Sequence, residues 1–131
     1  MILNNFIKLF HLIIKLSENK NKKNISEDIN EIITYIDRNL NKHFNIKTLA
    51  QKINLSDSWF KRKFKNEIGI PPNEYINRKK IDKAKNILRK NKDMSITEMS
   101  HILSYSSSEY FSVVFKKFTG QTPTDFKKHN T

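Results

Sequence analysis

Arg62 stands in the stretch Ser58-Trp59-Phe60-Lys61-Arg62-Lys63-Phe64-Lys65, between two phenylalanines four residues apart. It is one of four arginines in a chain whose other basic side chains are lysines. A guanidinium is planar and presents its donors as a rigid fork. It can therefore hold two acceptors on one edge at once, the arrangement that guanine O6 and N7 offer. On a helix with Phe60 and Phe64 turned inward, the opposite face falls on Ser58, Lys61, Arg62 and Lys65. These are hydrogen-bond donors and point charges. Bond-making chemistry has no comparable candidate: the sequence shows no paired carboxylates, nucleophile–base arrangement or glycine-rich phosphate loop. His11, His43, His101 and His129 lack ligand spacing and read as surface or boundary residues. With no cysteine, disulfides and thiolate metal sites are excluded, and no cofactor is called for.

A repeat positions these side chains. Phe60, Phe64, Gly69, Pro72 and Tyr75 recur as Phe111, Phe115, Gly120, Pro123 and Phe126, with spacings of four, five, three and three in both copies. Each copy describes two aromatics one helical turn apart, a glycine that stops the helix in the left-handed region, and a proline that opens the next helix. Upstream, Ile46, Leu49, Ala50 and Ile53 form one helical face, matched by Ile96, Met99 and Leu103. The offset between copies is 50 before the second turn and 51 after it. The pattern predicts a short helix, a tight turn and a longer helix, twice over.

Local signals divide the chain further. Residues 1–16 predict an amphipathic helix with Ile2, Phe6, Leu9, Phe10, Ile13 and Leu16 on one face. Its lysines and length exclude a membrane span, and its short apolar runs argue against a signal peptide. Residues 17–25 read as a polar linker, 26–71 as the first helical lobe, 72–91 as a long connecting helix and 92–131 as the second lobe. Ser26, Asn45 and Ser56 are expected N-caps, and Ser95–Glu98 and Ser106–Glu109 are expected capping boxes. Tyr75, Ile76, Ile81, Ala84, Ile87 and Leu88 are expected to face inward on the long helix. Its cations Lys79, Lys80, Lys83, Lys85 and Arg89 would meet phosphates or keep an outer face soluble. The expected fold is all-α: two helix-turn-helix lobes joined by the long helix, about seven helices, plus the N-terminal one. The formal net charge of +12 and pI of about 9.9 suit a polyanionic partner.

Residues 29–128 resemble the DNA-binding domain of AraC/XylS-type transcription regulators. The likeness lies in Leu49-Ala50, in Ser56-x-x-Trp59-Phe60-x-Arg62-x-Phe64-Lys65 and Gly69, and in Tyr75-Ile76 followed by Arg78, Ala84 and Leu88. It is densest from Tyr110 to Phe126, which includes Phe111, Ser112, Val114, Phe115, Lys116, Lys117, Thr119, Gly120, Thr122 and Pro123. The resemblance implies a cytoplasmic regulator with two helix-turn-helix motifs in adjacent major grooves of double-stranded DNA. Residues 2–16 resemble the dimerisation helix that closes a sensory domain in such regulators. A fragment, a truncated regulator and a stand-alone member with a helical extension all fit the sequence.

Within that frame Ser58, Lys61 and Arg62 are the expected base contacts. Lys63, Lys65, Ser107, Ser108, Ser112 and Lys116 are expected at the DNA backbone. Trp59 is expected to pack at the lobe edge, as its repeat mate Tyr110 would. The second lobe departs from the family pattern: Val113 replaces a common arginine, Ser104 a turn glycine, and Ser100 a small alanine. It is therefore expected to add affinity more than base specificity. The partners named on these grounds are double-stranded DNA, a second copy of the chain through residues 2–16, and RNA polymerase; no membrane is among them. Two alternatives stand beside this: a non-specific nucleic-acid-binding or nucleoid protein, and a protein-interaction module that has lost DNA binding.

Overall fold

The computed structural model describes residues 2–21 and 24–129; side chains are described from residue 5 to 14 and from 24 onward. Eight α-helices form in this part of the chain: α1 (Ile2–Asn21), α2 (Glu27–Arg38), α3 (Ile46–Lys52), α4 (Asp57–Ile68), α5 (Pro72–Lys90), α6 (Ile96–Ile102), α7 (Ser108–Thr119) and α8 (Pro123–His129). The all-α expectation is met. Helix α1 continues past Leu16 to Asn21, since residues 17–21 hold neither glycine nor proline to stop it. Ile2 and Leu16 of the expected α1 face lie outside the described side chains.

The boundaries follow from side-chain chemistry. Ser26, Asn45, Ser56 and Ser95 cap α2, α3, α4 and α6, each accepting an orphan backbone N–H of the first turn. Thr122 does the same for α8 through Asp125 N–H at 3.1 Å. The α7 cap is Ser107, which accepts from Tyr110 N–H at 3.0 Å. The expected Ser106–Glu109 box is thus displaced by one residue. The second turn is one residue longer than the first, so α7 begins at Ser108 where α4 begins at Asp57. Gly69 (φ 98°) and Gly120 (φ 80°) end α4 and α7 in the left-handed region. Asn54 (φ 56°) and Ser104 (φ 55°) take the same conformation at matching places in the two tight turns. Asparagine tolerates it comparatively well; serine is held there at a strain cost.

Two separate cores result. The first gathers Ile29, Ile32 and Ile36 from α2 with Leu49, Ala50, Phe60, Phe64 and Ile76. The second gathers Ile81, Ala84 and Leu88 from α5 with Met99, Leu103, Phe111, Phe115 and Phe126. In both, the phenylalanine pair packs ring to ring at 5.8 Å. The next aromatic in the repeat closes the stack: Tyr75 lies 5.5 Å from Phe64, and Phe126 lies 5.4 Å from Phe115. Tyr75 also donates from its hydroxyl to Asp37 Oδ1 at 3.0 Å, tying α5 to α2. Burial, with that carboxylate, pushes its phenol well above the usual tyrosine range. Ser26 donates from both its backbone N–H and its hydroxyl to the Glu67 carboxylate, pinning the start of α2 to the end of α4.

A Cβ added at Gly69 would meet nothing within 4 Å, so only the backbone opposes substitution. Gly69→Ala is expected to destabilise the chain by about 1–2 kcal/mol, read as a lower urea midpoint with unchanged m-value.

Candidate nucleic-acid interface

Phe60 and Phe64 are fully buried, and they fix the roll of α4. Ser58, Lys61, Arg62 and Lys65 consequently share its exposed face. Lys61, Arg62 and Lys65 line one shallow groove together with Ile46 at the start of α3 and Pro71, Pro72 and Asn73 at the start of α5. Three of the expected contacts are thereby gathered on a single surface. Lys63 is set apart: it is half-buried, with its ammonium 3.9 Å from Asp28 Oδ2 at the start of α2.

Trp59 does not pack at the lobe edge. It is 63% exposed, and the Arg62 guanidinium lies 5.9 Å from its ring centroid. Its neighbourhood differs from that of its repeat mate. Its repeat mate Tyr110 rests against Tyr105 at 5.9 Å. The residue equivalent to Tyr105 in the first lobe is Leu55, which packs on its own core. A large indole is left beside the most versatile donor on α4, a placement that the shared aromatic position in the repeat concealed.

Helix α7 presents a different chemistry. Phe111 and Phe115 are buried, which turns Glu109, Ser112, Val113 and Lys116 outward. Three cations on the α4 face correspond to one cation and one carboxylate here. Val113 is 67% exposed at the place of Arg62. Ser107 is half-buried and its oxygen is engaged as the α7 cap. Ser112 donates its hydroxyl proton to Ser108 O at 2.9 Å, so in this rotamer it has none to offer a phosphate. Glu109 is exposed and outside the capping role expected of it, since the cap has moved to Ser107.

The two faces are carried by one strut. Helix α5 has 19 residues, a length of about 28 Å. Ile76 belongs to the first core and Ile81 to the second. Between them Lys80, expected on the outer face, is only 4% exposed. Its ammonium donates to Lys42 O at 2.8 Å in the first lobe and to Leu103 O at 2.5 Å in the second. Burial pushes its pKa down to about 8, which leaves it mostly protonated at neutral pH. A run of lysines hid this one, because its burial depends on carbonyls distant in sequence.

Among known domains, a model described as a helix-turn-helix domain matches residues 49–129, well over half of the chain. The chain belongs to the AraC/XylS-type helix-turn-helix family. The transcriptional activator RhaS of Escherichia coli is 26% identical over 123 residues, covering 94% of this chain and 44% of that protein. The chain thus spans less than half the length of these curated relatives. The C-terminal domain of the response regulator YesN from Fusobacterium nucleatum superposes with a TM-score of 0.73 at 26% identity, over 78% of this chain and 99% of that one. The C-terminal domain of AraT from Geobacillus stearothermophilus gives 0.76 at 24% identity, over 80% and 87%. The DNA-binding domain of AdpA, solved with a target DNA, gives 0.74 at 21% identity, over 79% and 93%. At that identity the last two speak to the fold. Family and fold are those of transcription regulators. Among the described residues no helix is long and apolar enough to cross a membrane.

Trp59 is the single tryptophan and sits beside Arg62. Its emission is expected to be that of a water-exposed indole and to be readily quenched by acrylamide. Saturating duplex DNA is expected to lower the Stern–Volmer constant several-fold; quenching unchanged by bound DNA would place the duplex elsewhere.

Proposed function

We propose that the chain acts as a sequence-specific DNA-binding transcription regulator that sets α4 and α7 in adjacent major grooves. The carrying observation is the exposed, cationic face of α4, held outward by two buried phenylalanines and repeated in fold by α7. Arg62 makes the discriminating contact through its fork, with Ser58 and Lys61 at neighbouring base edges. Lys65 and Lys116 meet the phosphate backbone, and Ser107 and Ser108 lie where the first N–H groups of α7 face a phosphate. Lys63 reaches the backbone by leaving Asp28. Ser112 contributes after rotating away from Ser108 O. Helix α7, with Val113 toward a thymine methyl, adds less sequence discrimination than α4. Reader helices on a connecting helix of about 28 Å can approach the ~34 Å period of one DNA turn, and some bending of the duplex would bring both fully into their grooves.

Residues 2–16 supply a second contact, a homodimer through α1. In support, Phe6, Leu9, Phe10 and Ile13 are each more than half exposed. RNA polymerase is a further candidate partner of such a regulator, and the cytoplasm its expected compartment. The alternative of a non-specific nucleoid protein differs in one measurable respect, the ratio of affinity for a selected site to that for bulk DNA.

Arg62→Ala is expected to cost about 1–3 kcal/mol on a selected site and to relax base preference at one position. Equal loss on random duplex in a gel-shift series would refute base readout by Arg62. The logarithm of affinity should also fall linearly with the logarithm of salt concentration. Lys65→Ala should reduce that slope by about 1, while leaving the ranking of sites intact.

A further inference from the structure

The two apolar cores have no residue in common. What crosses from one lobe to the other is largely polar, and it converges on Lys80. Its ammonium reaches one backbone carbonyl in each lobe: Lys42 O in the turn after α2, and Leu103 O at the end of α6. It also lies over one aromatic ring from each lobe, 5.4 Å from the Phe44 centroid and 5.3 Å from that of Tyr105. Beside it, the Ser104 hydroxyl donates to Asn41 O at 2.6 Å, crossing the seam directly. Tyr105 donates to Asn77 Oδ1 at 3.0 Å, fastening the same turn to α5. Leu103 through Ser107 is the turn that launches α7. The Lys80 contacts therefore hold the root of the second reader helix against the first lobe.

A lysine suits this place for a physical reason. Leu103 O lies at the end of a helix, where carbonyls lack intrahelical partners. One ammonium carries three donors and no acceptor, so it can satisfy a carbonyl on each side at once. An apolar residue of equal length would fill the space and leave both carbonyls without that donor.

We propose that Lys80, assisted by Ser104, is a positioning residue that fixes the separation and phase of α4 and α7, and so makes recognition depend on the spacing of two half-sites. This rests on the reading of α4 and α7 as a pair in adjacent grooves. Lys80 touches no base and acts through the α6–α7 turn.

The test uses the whole chain and two variants. Lys80→Met removes the shared donor and keeps the length; Ser104→Gly removes only the direct crossing and relieves the strained φ, so it should fold even where Lys80→Met does not. One arm needs no DNA. The chain has no cysteine, so spin labels at Thr48→Cys and Thr124→Cys, both exposed, report the distance between lobes. A narrow distribution is expected in the parent chain and a broad one in both variants. The other arm uses duplexes selected by the parent chain from a random pool, then cut to one half-site or lengthened by one base pair between half-sites. Each variant is expected to bind the intact duplex more weakly, about tenfold for Lys80→Met, with half-site affinity within twofold. The penalty for the inserted base pair should shrink. Distributions that stay narrow in both variants would overturn the lock, and equal losses on half and intact sites would overturn the positioning role. A parent chain that selects only single half-sites would overturn the paired-groove reading, with the spin-label arm still deciding whether Lys80 holds the lobes.

Discussion

Two phenylalanines one helical turn apart determine the way α4 and α7 face. Burying Phe60 and Phe64 removes a large apolar area from water, about 1.5–3 kcal/mol for each ring, and it fixes the roll of α4. Everything exposed on that helix, the Arg62 fork included, is aimed by that burial. The same holds for Phe111, Phe115 and α7. The hydrophobic effect therefore does the orienting, and the polar side chains inherit their direction from it.

Orientation within a lobe leaves the relation between lobes open. Helix α5 is shared, yet Ile76 and Ile81 serve different cores, which share no residue among those described. The junction is made by an ammonium, a serine hydroxyl and backbone carbonyls. Directional bonds specify geometry more narrowly than apolar contact does, because they are lost over small displacements. If both faces meet the duplex together, as proposed, such a junction sets how they do so.

The two faces are unequal in chemistry although alike in fold. The first presents three cations with an exposed indole beside them, the second a carboxylate, a valine and one lysine. Duplication conserved the residues that build the lobe, namely the phenylalanines, glycines and prolines. The outward positions diverged, because packing places no demand on them.

The amino-acid order alone determined the eight helices, most of their caps, both glycine stops and the aromatic, α3 and α5 residues of the two cores. These depend on neighbours within one or two turns, and the periodicity of apolar residues carries that information. It also determined which side chains share the α4 face, since helical geometry settles that without any knowledge of the rest. Tertiary structure decided what depends on distant neighbours. Trp59 stays out in solvent beside Arg62, and Tyr110 is still half exposed even against the Tyr105 ring. Lys80 is buried because Lys42, Phe44, Leu103 and Tyr105 meet around it, from segments more than 20 residues away in the chain. A lysine among lysines bears no local mark of such a role: the carbonyls that select it come together only when both lobes have closed on the helix between them.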